Sequence, residues 1–195
     1  VESESMKYEV VSLSSSDKER IIKYINAISK IAERNDLDIV FFIPPVFEKI
    51  DLNDKESVSK LFNNYDFDGI IHFAAHKSVN ESVNYPDKYF KNNVGSLENI
   101  IYEIQKLKKP MNFIFSSSCT VYGQADSMPI NEGFELKKAE SPYGQSKRKC
   151  EEILENFHKA GHNFKNITLR YFNPLGAHPT SLIGELPIGI PENLV

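Results

Sequence analysis

Short runs rich in Val, Ile and Phe alternate along this chain with longer stretches whose apolar residues recur at helical spacing. Parallel strands joined by crossover helices produce that alternation, so the expected class is α/β. Strands are expected at 8–13, 39–43, 69–74, 111–116 and 167–172, with a short one at 47–52. Between the first two, residues 17–34 place Ile21, Ile22, Ile25, Ile28 and Ile31 on one helical face, behind serines able to cap its start. Further helices are expected at 55–64, 87–107 and 143–160, the last announced by Ser141 and Pro142. The segment after Phe172, rich in Pro and Gly, reads as ordered loop. Nothing resembling a repeat or a flexible linker divides the 195 residues, and one domain is expected.

Composition narrows the setting. No apolar run approaches the roughly 20 residues needed to span a bilayer, so no membrane span is expected. A net charge of -4 without any cluster of Lys and Arg gives no electrostatic footprint for nucleic acid. Two cysteines, Cys119 and Cys150, are too few for a disulfide framework, and the N-terminus lacks a signal-peptide layout, which points to the cytoplasm. The five histidines, His72, His76, His158, His162 and His178, have no metal-ligand spacing, so no metal is expected.

The segment Tyr143-Gly144-Gln145-Ser146-Lys147 carries the most chemistry, because four residues along a helix bring Tyr and Lys onto one face. A phenol with a pKa of about 10 is a poor base at neutral pH, and lowering it three units takes about 4 kcal/mol. A neighbouring ammonium can supply part of that. Alone, the pattern is equally that of a solvated Lys beside a half-buried Tyr. Upstream, Ser118 closes the apolar run Asn112-Phe113-Ile114-Phe115-Ser116-Ser117, and ligands of open α/β sheets bind beyond the carboxyl ends of strands. Ser118 is then either a presented hydroxyl or a turn residue bonding its own backbone.

Three consecutive stretches carry a resemblance: Phe115-Ser116-Ser117-Ser118-Cys119-Thr120-Val121-Tyr122-Gly123, then Ser141-Pro142-Tyr143-Gly144-Gln145-Ser146-Lys147, then Leu169-Arg170-Tyr171-Phe172-Asn173-Pro174-Leu175-Gly176-Ala177-His178-Pro179. They resemble motifs of the UDP-glucose 4-epimerases, members of the extended short-chain dehydrogenase/reductase superfamily, and the likeness extends from about Tyr8 to Val195. The resemblance implies a Rossmann-like doubly wound parallel sheet that binds NAD, residues 173–195 opening the region for the nucleotide sugar. In that family NAD oxidises a UDP-sugar at C4 and reduces it again after the keto-sugar has rotated. By resemblance Tyr143 is the base, Ser118 bonds the same sugar oxygen, and Lys147 holds the nicotinamide ribose while its charge depresses the tyrosine. Asp51 and Leu52 match an adenine-contacting pair; capping of the following helix by Asp51 or Asp54 is the competing reading. Phe73, Ala74 and Ala75 match backbone passing the pyrophosphate, Lys77 a basic residue near the cofactor, Asn92 a cofactor-bonding amide and Tyr171 a further cofactor contact. Asn173, Asn193 and Leu194 match residues that hold the nucleotide sugar. Asn93 is read as structural, and Ala75-His76 replaces the commoner Gly-Leu. A homodimer through helices 87–107 and 143–160 is implied by analogy.

Dinucleotide binding in this fold relies on a first strand followed by a Gly-rich turn. None of the nine glycines precedes Gly69. Residues 8–13 are therefore expected to be the second strand, with strand one, its glycine turn and the C-terminal substrate lobe absent. The other register makes 8–13 strand one and Ser14-Ser15-Ser16 a crude anion loop. Two further functions stay open: a nucleotide-sugar dehydratase, against which Ser118-Cys119-Thr120 lacks that branch's acid and base, and a non-catalytic remnant acting as an interaction subunit.

Overall fold

The computed structural model describes residues 48 and 50–173. Three parallel strands form its sheet, β1 (Gly69–His72), β2 (Met111–Ser118) and β3 (Phe164–Tyr171), in the order β1-β2-β3. The register sets Ile71 beside Ile114 and Ile114 beside Ile167, so one face of the sheet runs continuously across the strands. Helix α1 (Lys55–Asn64) precedes β1. Between β1 and β2 come α2 (Val79–Asn84), α3 (Pro86–Tyr89), a π turn at Phe90–Val94 and α4 (Gly95–Lys106). A 3-10 turn (Cys119–Tyr122) follows β2 directly, and α5 (Pro142–Lys159) leads into β3. This is the expected α/β parallel arrangement.

Alternation along β2 explains the layering. Met111, Phe113 and Phe115 are 0%, 1% and 1% exposed, while Asn112 between them is exposed. The buried set belongs to one core with Leu97, Ile100, Ile101 and Ile104 of α4, Cys150, Leu154 and Phe157 of α5, and Val58 and Leu61 of α1. Full burial of each such side chain is worth about 1.5–3 kcal/mol, so truncating Phe115 would remove a large share of a domain's margin. α1 starts where Asp54 Oδ1 accepts from Glu56 N at 3.1 Å. α5 starts where Ser141 Oγ accepts from Gly144 N at 3.1 Å, with Pro142 in the first turn. Both are side-chain caps that satisfy amides the helix leaves unpaired.

Four expectations shift. Residues 50–52 of the short strand expected at 47–52 are not extended ladder, because Asp51 Oδ1 accepts from Asn53 N at 2.9 Å and folds the chain into a turn before α1. β1 ends at His72, so Phe73 and Ala74 leave the sheet. β3 begins at Phe164, three residues earlier than 167, since its core-facing positions Asn166, Thr168 and Arg170 are polar and disguise the strand. The helix expected at 87–107 is divided by the π turn, and α2 was not anticipated. The strands expected at 8–13 and 39–43, the helix at 17–34 and the loop beyond Asn173 lie outside the described residues.

Candidate active site

β2, the 3-10 turn and the first turn of α5 converge at one corner of the sheet. Gly144 makes that convergence fit: a Cβ there would stand 3.1 Å from Thr120 O and 3.2 Å from Ala139 Cβ. The bare backbone lets α5 approach the 3-10 turn closely enough to place Tyr143 against Ser118. The Ser118 hydroxyl stands near enough to the Tyr143 phenol to act on its proton affinity. Ser118 Oγ also accepts from Thr120 N at 3.3 Å and from Thr120 Oγ1 at 3.0 Å. The turn reading of Ser118 holds, and the same bonds fix the oxygen that stands near Tyr143.

Tyr143 is half-buried, and its ring stands edge-on to Tyr89 with centroids 6.4 Å apart. Burial pushes its phenol above the ordinary value, while the nearby Ser118 hydroxyl pulls the other way by favouring the phenolate. Tyr89 is 0% exposed and donates to Glu81 Oε2 at 2.7 Å; burial and that carboxylate push it up to about 12, so it stays neutral behind Tyr143.

Lys147 lies one turn further along α5 and is 3% exposed. Its Nζ donates to Ser116 O at 2.6 Å and sits 4.9 Å above the Phe115 ring centroid. Burial pulls the ammonium down to about 8. The helical spacing does bring Tyr143 and Lys147 to one side of α5, but the lysine is directed into the sheet, and burial outweighs any lowering of the phenol here. His72, stacked on Phe115 with centroids 5.9 Å apart, is held neutral down to about 3, first by burial and then by the charge of Lys147.

The residues matched to the cofactor form a more open border. Asp51 is exposed, and capping of α1 falls to Asp54. Leu52 is 8% exposed and belongs to the core, its carbonyl accepting from Asn99 Nδ2 at 2.8 Å. Phe73 is 49% exposed beyond the end of β1; Ala74 and Ala75 are half-buried beside it, and Lys77 is exposed. Asn92 lies in the π turn, its Oδ1 accepting from Asn53 Nδ2 at 3.3 Å and its Nδ2 donating to Asn93 Oδ1 at 3.1 Å. Tyr171 ends β3, 43% exposed, with Asn173 exposed just beyond. Asn193 and Leu194 lie outside the described residues.

A hydrogen-bonded series joins this border to the corner of Ser118 and Tyr143. Asn53 Nδ2 also reaches Asp51 Oδ1 at 3.2 Å, and from Asn92 the series continues to Asn93. Asn93, 2% exposed, accepts from His76 N at 2.8 Å, donates to His76 O at 3.1 Å and donates to Ser146 Oγ at 3.0 Å. Asn93 thus pins the loop after β1 to α5, which accords with its structural reading. Sequence reasoning passed over Asn53 and Thr120, although a hydroxyl two residues after a serine is a turn signal that could have marked Thr120. Among the described residues no cluster of three or more His, Cys, Asp or Glu could hold a metal, and no helix is long and apolar enough to cross a membrane. The donor set of hydroxyls, amides and ammonium at the carboxyl ends of parallel strands suits ribose and amide groups of a dinucleotide.

Comparison with known proteins adds an independent finding. The sequence pattern of the NAD dependent epimerase/dehydratase family matches residues 4–187. The chain is 42% identical to the UDP-glucose 4-epimerase of Caenorhabditis elegans over 173 residues, covering 87% of this chain and 48% of that protein. Against the UDP-glucose 4-epimerase of Bacillus subtilis (strain 168) it is 41% identical over 169 residues, covering 87% and 48%. The crystal structure of the UDP-glucose 4-epimerase from Bifidobacterium longum in complex with NAD+ and UDP superposes with a TM-score of 0.74 at 36% identity, over 88% of this chain and 48% of that one. The enzyme from Stenotrophomonas maltophila with bound NAD and formylated UDP-arabinopyranose gives 0.75 at 36% identity, over 95% and 51%. The chain therefore spans about half the length of the relatives it matches.

Proposed function

The chain belongs to the NAD dependent epimerase/dehydratase family, and from that premise we propose that it carries the catalytic corner of a UDP-glucose 4-epimerase, interconverting UDP-glucose and UDP-galactose. The observation that carries the reading is the convergence of Ser118, at the end of β2, and Tyr143, in the first turn of α5, with Lys147 buried one helical turn away. Tyr143 takes the proton of the C4 hydroxyl and later returns it, as a positioned phenol can do to and from a reacting oxygen. Ser118, fixed by Thr120, holds that same oxygen. Lys147 holds the ribose next to the nicotinamide. Bound there, NAD supplies reversible oxidation at the sugar carbon and a positive ring charge that favours the phenolate. Asp51 and Leu52 receive its adenine, Phe73, Ala74, Ala75 and Lys77 its pyrophosphate side, and Asn92 and Tyr171 complete its contacts. Asn173, Asn193 and Leu194 hold the UDP-sugar, residues 173–195 being the start of that subsite. The same reading includes a cytoplasmic setting and a homodimer through the α3–α4 segment and α5.

The test is a chimera in which residues 48–173 replace the matching segment of a full-length relative, assayed for UDP-glucose formed from UDP-galactose. Turnover that depends on Tyr143 supports the reading. A folded chimera that retains NAD yet shows no turnover overturns it and favours a non-catalytic chain.

A further inference from the structure

Beneath the carboxyl ends of β2 and β3 lies a charged cluster that the proton chemistry does not use. Arg170 of β3 holds the Glu151 carboxylate of α5 with two arms of its fork, Nε donating to Oε1 at 3.1 Å and Nη2 to Oε2 at 2.8 Å. Ser117, its register partner on β2, donates to Glu151 Oε1 at 2.5 Å. The Glu151 side chain is 11% exposed and that of Arg170 22%, a setting in which a bidentate pair keeps its geometry. The guanidinium also lies 4.8 Å over the Tyr122 ring of the 3-10 turn. Tyr122, 4% exposed, stacks in turn on Phe172 with centroids 6.4 Å apart.

We infer that Arg170 is a positioning residue for Phe172 and Asn173: paired with Glu151, it fixes the Tyr122 ring against which Phe172 rests, and so sets the direction in which the chain leaves β3 toward Asn173. The inference rests on the reading of Asn173 as a group that holds the nucleotide sugar. Phe172 and Asn173 lie beyond the last register pair of the sheet, Ser118 with Tyr171, so the ladder does not aim them. Phe172 is 53% exposed, and the buried Tyr122 is the ring it leans on. Tyr122 closes a turn of only four residues, and the guanidinium braces the face of its ring. An ammonium has no planar fork that meets two carboxylate oxygens while lying over an aromatic face, so lysine replaces this arginine poorly. The groups proposed for the chemistry are anchored by other bonds, Ser118 by Thr120 and Lys147 by the Ser116 carbonyl. Loss of the pair therefore loosens the sugar-holding segment and leaves proton transfer in place.

The first measurement takes the 195-residue chain labelled with 13C and 15N and follows the Phe172 ring and Asn173 amide signals, with Gly144 and Asn93 as references. Arg170→Met alone would leave a buried carboxylate unpaired, so the pair is removed together in Glu151→Gln/Arg170→Met, with Arg170→Lys as the second variant should the first not fold. In both, the Phe172 and Asn173 signals should move toward unstructured-chain values while those of Gly144 and Asn93 stay in place. The second measurement carries the same variants into the chimera. KM for UDP-galactose should rise about tenfold in the neutralised pair and about threefold in Arg170→Lys, with kcat within about twofold of the parent. Phe172 and Asn173 signals unmoved in a folded variant, or a kcat that falls while KM holds, would overturn the assignment. A parent chimera without turnover would break the proposed function instead, and the signals of the 195-residue chain would still decide the role of Arg170.

Discussion

The corner proposed for proton transfer and the border proposed for the cofactor are built differently, although they flank the same strand ends. At the corner, Ser118 is 8% exposed, Lys147 3% and Tyr122 4%; Ser118 is fixed by Thr120 of the 3-10 turn and Lys147 of α5 by the Ser116 carbonyl of β2. At the border, Asp51, Phe73 and Lys77 are exposed, and its strand β1 has four residues against the eight of β2. The contrast teaches where each task places its cost. Under the proposed function, proton transfer needs oxygen atoms held in a low-dielectric setting before substrate arrives, which a corner that buries an ammonium provides. Recognition of adenine and ribose can be completed by the ligand itself, and the border is left polar and open.

The sharpest way to break this contrast is Tyr143→Phe in the chimera. The ring still packs on Tyr89 but carries no proton, so kcat should fall by about a thousandfold or more while affinity for the nucleotide sugar holds. Steady-state kinetics with a binding titration decides it; a variant keeping over a tenth of the parent rate would place the base elsewhere.

Lys147→Met tests whether the corner costs stability. Burial holds Lys147 in the folded chain at about 8, below the ordinary lysine value of 10.5. At neutral pH both states are protonated, and the folded one bears the burial cost. Between those two values the unfolded chain still holds a proton that the folded chain has released, so stability rises with pH across that window. Methionine should remove that rise and raise stability at neutral pH by about 1–3 kcal/mol, the range allowing for the lost bond to Ser116. Denaturant melts at neutral and alkaline pH read both effects. A parent whose stability is flat across the window would mean the ammonium is better compensated than its surroundings indicate.

At the border, Asp51→Ala should act on binding alone. In the chimera the Kd for NAD should rise about tenfold, with kcat at saturating cofactor unchanged, because losing one hydrogen bond from a charged group is worth about 1.5 kcal/mol. A fall in kcat would mean the border takes part in the chemistry. The smallest effect expected is that of Asp54→Ala, which removes the cap of α1 and should cost about 1 kcal/mol in thermal or denaturant unfolding without changing NAD affinity. If NAD binding weakened with it, Asp54 rather than Asp51 would be the ligand-facing acid.

Much of this molecule was legible in its sequence. α1 occupies 55–64 as its period and flanking Asp54 indicated, and α5 begins at the Ser141-Pro142 signal, because caps and helical periodicity are local physics written into neighbouring residues. The Ser118, Tyr143 and Lys147 constellation could be named only through the resemblance of three consecutive motifs, since spacing alone leaves each residue an ordinary structural reading. Tertiary structure decided what those residues experience. No local signal told that β3 would turn Asn166, Thr168 and Arg170 inward, where Arg170 meets Glu151 of another element. Spacing placed Lys147 and Tyr143 on one side of α5, yet the lysine finds its partner in Ser116 across 31 positions of sequence. The division has a physical cause: conformation along the chain is set by contacts within a few residues, whereas burial, and the proton affinities it shifts, is set by whatever distant segment the fold brings to the same place.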